Sequence, residues 1–165
     1  MKYDPLHHHR RSIRLNGYDY HQVGAYFVTI CTQHRACLLD APPVEAMIAH
    51  WWEELPNKFP TVSLDAFVIM PNHIHGIIVL DQPNTTTAPT SLGQVIQWLK
   101  TMTTNAYIHG VKGADWPPFD RRLWQRNYYE HIIRNERELN AIRLYIAANP
   151  DNWQADENHP GRLVG

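Results

Sequence analysis

The sequence predicts an α+β domain, a small antiparallel sheet covered by helices, and three observations carry that prediction. Short β-branched and aromatic runs alternate with segments whose apolar residues recur at helical spacing. Two of the runs, Val62 to Met70 and His73 to Leu80, are separated only by Pro71-Asn72, a turn pair suited to antiparallel neighbours. A chain of 165 residues, 44% hydrophobic and 19% charged, supports one packed core rather than two. The order of elements is β-α-β-β-α-β-α. That is the split βαβ, ferredoxin-like arrangement, with helices on one face and an additional C-terminal helix.

Each element has its own justification. Ala25 to Thr32 (AYFVTICT) has the composition of a buried strand. In APPVEAMIAHWWEEL, Val44, Met47, Ile48, Trp51 and Leu55 form one helical stripe, Pro43 suits a first turn, and Pro56 and Pro60 close the helix. Asp81 to Thr90 is a polar Pro/Thr-rich loop, expected to be the most mobile segment. Ser91 and Gln94 make a capping-box pattern ahead of Leu92, Val95, Ile96, Leu99, Met102 and Ala106. Leu123 to Ile133 reads as a strand. Asn135 and Glu138 then resemble a cap for a helix through Leu139, Ile142 and Ile146, which Pro150 stops while biasing Asn149 away from helical geometry. The expected division is a basic, weakly structured arm over 1–20, a catalytic domain over 21–150 and a weakly structured tail over 151–165.

Composition excludes a disordered chain and a disulfide-stapled scaffold. No run of about 18 apolar residues is present, and the start MKYDPLHHHRRSIR has no apolar signal region. Cys31 and Cys37 lack metal-ligand spacing and read as reduced thiols of a cytoplasmic protein. Net charge is −1, which argues against a nucleic-acid partner until its distribution is considered. Arg10, Arg11 and Arg14 cluster at one end, and Arg121, Arg122, Arg126, Arg134, Arg137 and Arg143 crowd a later stretch, while acids gather elsewhere, including Asp151, Asp156 and Glu157. Separated signs can build a basic face that tracks phosphates, although a solvated helix surface gives the same pattern.

The candidate chemistry starts at His73-Ile74-His75. On a strand, residues i and i+2 share a face at roughly 6 to 7 Å, close enough for two imidazoles to hold one ion or simply to form a polar patch. Tyr145 and Asn149 are one helical turn apart, about 6 Å along the axis. A carboxamide oxygen with imidazoles suits Mg²⁺ or Mn²⁺. Equally open at this point, Tyr145 packs against the Leu139/Ile142/Ile146 stripe and Asn149 caps the helix. Tyr128 and Tyr129 are rival nucleophiles facing opposite sides of a strand, without a ligand partner at i+4. His131 could assist proton transfer or be structural. Trp116, Trp124 and Tyr128 could stack on unpaired bases or pack in the core.

Three blocks together resemble a known family: RRSIRLNGYDYHQVGAYFVTICTQ (Arg10 to Gln33), VIMPNHIHGIIVL (Val68 to Leu80) and LWQRNYYEHIIRNERELNAIRLYIAANP (Leu123 to Pro150). They cover most of the chain and are similar to the REP-associated tyrosine transposases, within the single-tyrosine HUH transposases of the insertion-sequence type. The resemblance implies a ferredoxin-like sheet carrying His73 and His75 as the metal-binding histidines. It further implies Tyr145 as nucleophile and Asn149, a position that is Gln in some relatives, as third ligand. The implied activity is metal-dependent cleavage and joining of single-stranded or hairpin DNA through a 5′-phosphotyrosine, with Mg²⁺ or Mn²⁺ as cofactor. Arg10, Arg11, Arg14, Arg121, Arg122, Arg126 and Arg134 are the candidate DNA contacts. The expected protein acts without a membrane, as a monomer or homodimer.

Two other functions fit parts of the pattern. A non-catalytic single-stranded nucleic-acid binding module could use the same scaffold, but the aromatic signature of such sheets is missing. A histidine-triad nucleotide hydrolase would want histidine at position 77, which is Ile77.

Overall fold

The computed structural model describes residues 23–84 and 86–162. The 1–20 arm, with Arg10, Arg11 and Arg14, lies outside the described residues. Element order is β1 (Gly24–Cys31), α1 (Pro42–Glu53), α2 (Leu55–Lys58), β2 (Val62–Met70), β3 (His73–Leu80), α3 (Leu92–Gly113), β4 (Tyr129–Ile133) and α4 (Glu136–Ala148). The four strands run β2-β3-β1-β4, every neighbouring pair antiparallel. This is the split βαβ order, as the sequence predicts.

Strand parity sorts the side chains onto two faces. Tyr26, Val28, Ile30, Ile74, Ile78 and Leu80 join a large core with α1, α2 and α3. Phe27, Ile77 and Ile133 join Ile142 and Ile146 of α4 in a smaller cluster on the opposite face. At Gly76 a Cβ would lie 2.3 Å from the Trp52 ring, so only hydrogen fits there. Trp52 in turn stacks on Phe67 at 4.3 Å. One residue is inserted in β2 between Leu64 and Phe67, and this bulge lets Asp65 accept two hydrogen bonds from Arg143 of α4, at 2.8 and 2.6 Å. The Arg143 guanidinium holds the Asp65 carboxyl below its ordinary pKa.

Both expected caps form. Ser91 and Gln94 make a reciprocal capping box, and Asn135 Oδ1 accepts from the Glu138 amide at 2.8 Å. The Glu138 carboxylate turns back to His131 and the Arg134 amide instead, tying α4 to β4. His131 is therefore a tether rather than a free base.

Four expectations need correction. The strand expected over Leu123 to Ile133 is only Tyr129–Ile133. Leu123 and Trp124 are buried plugs of the large core, and after one bridge between Thr32 and Trp124 the chain leaves the sheet. Their apolar character reflects burial, not pairing. Pro56 does not end a helix but sits in the first turn of α2. Asn149 keeps helical dihedrals (φ −57°, ψ −45°) despite Pro150, because the chain continues turning through Asn152, whose amide bonds back to Ala148 and Asn149. Finally, residues 151–162 are no loose tail: they form 3₁₀ turns at Trp153–Ala155 and Pro160–Arg162, and Asn158 is buried.

Candidate active site

His73 and His75 stand on the α4 side of β3, both fully buried. Their Nε2 atoms converge at 3.1 Å. Each outer nitrogen has its own partner: His73 Nδ1 meets Asn72 Oδ1 at 2.8 Å, and His75 Nδ1 meets Thr29 Oγ1 at 2.8 Å. The orientation of Asn72 is settled by its other end, where Nδ2 donates to the Arg35 and Asn158 carbonyls. Asn72 Oδ1 can therefore only accept, which puts the His73 proton on Nδ1 and leaves the Nε2 lone pair facing His75. Two imidazole nitrogens at this separation need a proton or a cation between them. Cis ligands about 2.1 Å from an octahedral ion lie about 3.0 Å apart, so the pair fits a divalent ion.

Helix α4 brings the phenol. The Tyr145 ring centroid lies 5.4 Å from that of His75, and both rings pack on Phe27, His75 stacked and Tyr145 edge-on. Burial pushes the Tyr145 hydroxyl up to about 12, the Asn149 amide opposes that rise, and the Asp156 carboxylate adds to it. One turn on, Asn149 is 3% exposed, and its Nδ2 donates to the Tyr145 carbonyl at 3.1 Å. That bond leaves Oδ1 buried with no hydrogen-bond donor. A buried acceptor without a donor is unfavourable by about 1–3 kcal/mol and suits a cation ligand.

A third group approaches from the segment after α4. Asp156 Oδ2 lies 3.6 Å from His73 Nε2, and His73, His75 and Asp156 offer ligand atoms all within 4.8 Å of one another. Trp153 packs near His73 at 6.1 Å. In the sequence Asp156 stands only as one of the acids gathered apart from the arginines. No local spacing marks it, because it reaches the histidines only when the chain folds back beyond Pro150.

Residues 20–149 match the family model described as "Transposase IS200 like". The chain belongs to the IS200-like transposase family. An uncharacterized protein of Haemophilus influenzae (strain ATCC 51907 / DSM 11121 / KW20 / Rd) is 38% identical, over 94% of this chain and 96% of its own length. A REP-associated tyrosine transposase solved with a REP hairpin has a similar fold, with a TM-score of 0.62 at 23% identity over 85% of this chain and 74% of that one. A crystallised protein of Deinococcus radiodurans R1 aligns at a TM-score of 0.50 and 17% identity, over 82% of this chain and 95% of that one. The resemblance to insertion-sequence transposases read from the sequence is thereby borne out, and the chain is a DNA transposase enzyme.

Around this candidate site of the transposase the other candidates separate. Tyr129 lies on the site's face, edge-on to Phe27, whereas Tyr128 packs against the large core with Lys100 Nζ 5.5 Å over its ring. Trp124 is buried and donates to Thr103, and Trp116 packs beside Tyr107, so both serve the core. A cleft of about 490 Å³ runs from Thr29 and Tyr129 to Gln33, Arg35, Gln125 and Arg126. Arg121, Arg122 and Arg126 are exposed beside Lys100 on a second cleft along α3. Arg134 is exposed beyond the opposite end of β4 from Tyr129 and does not join them. Among the described residues no helix is long and apolar enough to cross a membrane.

Proposed function

We propose that this chain is a metal-dependent single-stranded DNA nuclease and strand transferase that works through a 5′-phosphotyrosine on hairpin DNA of the REP type. The observation that carries this reading is the packing of Tyr145 against the convergent imidazoles of His73 and His75, with the unmatched Asn149 oxygen one turn away.

His73, His75 and Asn149 would hold one Mg²⁺ or Mn²⁺ ion. Such an ion, when bound, neutralises charge on the scissile phosphate and polarises it toward attack. Every other step belongs to the protein. The Tyr145 oxygen attacks phosphorus, the bond between phosphorus and the 3′ oxygen breaks, and the departing 3′ oxygen takes up a proton as the phenol loses its own. At a pKa of about 12, only about one phenol in 10⁵ is ionised at pH 7, so the Tyr145 hydroxyl has to release its proton in the course of the attack rather than before it. The phosphotyrosyl bond conserves the energy of the broken link, which lets an incoming 3′ hydroxyl reverse the step. Thr29, Asn72 and Phe27 hold the imidazoles and phenol in place.

The hairpin is proposed from the REP-associated transposase of similar fold, which was solved with one bound. Arg121, Arg122 and Arg126, which line the cleft along α3, are proposed to contact its phosphates. Arg134, and Arg10, Arg11 and Arg14 of the N-terminal segment, are proposed as further DNA contacts.

The test incubates the protein with a labelled hairpin carrying single-stranded flanks and Mn²⁺. A denaturant-resistant protein–DNA adduct is expected from the parent, Tyr128→Phe and Tyr129→Phe proteins, and none from Tyr145→Phe. An adduct that persists in Tyr145→Phe overturns the assignment of the nucleophile. Hairpin binding without cleavage by the parent would support the non-catalytic module instead.

A further inference from the structure

We infer that Asp156 is a further ligand of the divalent ion, so that the segment after α4 completes a site begun by the sheet and the helix. This rests on the metal-dependent reading above.

Position comes first. Asp156 Oδ2 stands 3.6 Å from His73 Nε2, against 3.1 Å between the two histidines, and all three donors fall within 4.8 Å. An octahedral ion with bonds of about 2.1 Å needs donor separations of about 3.0 Å for neighbours and about 4.2 Å across the centre. The three donors fit that range with little adjustment.

The carboxylate is also built in rather than adventitious. Its side chain is 7% exposed, and a buried carboxylate needs compensation. Oδ1 already accepts from the Asn158 amide at 2.7 Å, which turns Oδ2 toward the imidazoles. The Asn158 carbonyl in turn accepts from Asn72, the residue that orients His73 through its Nδ1. One short segment therefore supports both nitrogens of the same ring, Nδ1 through Asn72 and Nε2 through Asp156. Ligating histidines are commonly oriented by such an outer partner.

The donor set has chemical consequences. Two imidazoles, a carboxamide oxygen and a carboxylate are four donors, leaving an octahedral ion about two positions for phosphate oxygens or water. The two oxygen donors favour Mg²⁺ or Mn²⁺ over ions that prefer thiolate. Asp156 lies beyond residues 20–149, the span matched by the family model, so this contribution comes from the chain's own C-terminal segment.

The experiment measures Mn²⁺ binding by electron paramagnetic resonance of the free ion. It uses the parent, Asp156→Asn, His73→Ala and, as a charge-matched control, the exposed Asp151→Asn. Asp156→Asn should weaken binding at least about tenfold, His73→Ala should abolish it, and Asp151→Asn should match the parent. Thermal melts give a second readout independent of cleavage. Mn²⁺ should raise the parent's Tm more than that of Asp156→Asn, because a ligand stabilises the fold in proportion to its occupancy. Equal Mn²⁺ affinity and equal Tm gain in the parent and Asp156→Asn, with His73→Ala still defective, overturn the role of Asp156 alone. A parent that binds no Mn²⁺ overturns the metal-dependent reading as well.

Discussion

The two faces of the sheet do different work. Among the described residues, the face under α1, α2 and α3 buries nineteen hydrophobic residues in one cluster, while the face under α4 buries five. On the first face, Trp52, Phe67, Tyr107 and Trp124 interlock with aliphatic side chains. On the second, the strand positions nearest the C-terminal segment hold Thr29, His73 and His75. Buried polar groups contribute less than hydrocarbon to stability unless paired, so a face with buried polar groups needs an apolar one behind it. Because strand residues alternate, a single run such as HIHGIIVL supplies both faces at once.

Changes on each face should separate stability from reaction. The largest loss of stability is expected from Leu99→Ala, which empties a fully enclosed position of the large core. It should lower unfolding free energy by about 3–4 kcal/mol in denaturant titration while leaving adduct formation by the folded fraction near the parental level. Ile142→Ala should lower stability by about 2–3 kcal/mol, since α4 covers only one side of a small cluster and can settle inward. It should cut adduct formation more than tenfold by displacing Tyr145. Parental cleavage in Ile142→Ala would break the comparison. Gly76→Ala forces a methyl against the Trp52 ring and should lower stability by about 1–3 kcal/mol, with cleavage again following the folded fraction.

The smallest effect is one of pH. The Tyr145 phenol has a higher pKa folded than unfolded, so its favourable contribution is complete below about pH 10 and is lost as pH rises through about 12. Stability of the metal-free parent, relative to Tyr145→Phe, should decline over that window. An ultraviolet difference titration should place the Tyr145 transition near its upper end, and a transition at the ordinary tyrosine value would show that the phenol is not shielded as its packing on Phe27 and His75 implies.

Periodicity made much of this fold legible. The limits of β2 and β3, the caps at Ser91 and Asn135, and the α4 stripe all follow from interactions within a few residues. The i, i+2 histidines and the i, i+4 Tyr145 and Asn149 were readable for the same reason, since regular structure converts spacing into a shared face. Leu123 and Trp124 misled because apolar residues filling a core from a loop look like strand residues. The Asn149 geometry misled because the general bias before proline yielded to a chain that keeps turning toward the histidines.

Local order, then, was written in the chain: which segments are strands or helices, and which side chains within each share a face. The meeting of β3 with α4 and with Asp156 belongs to the folded molecule, as does the orientation of His73 by an asparagine held through residue 158. Separations of dozens of residues leave no periodic mark, because contacts of that kind form only when burial of two faces brings distant parts of the chain together.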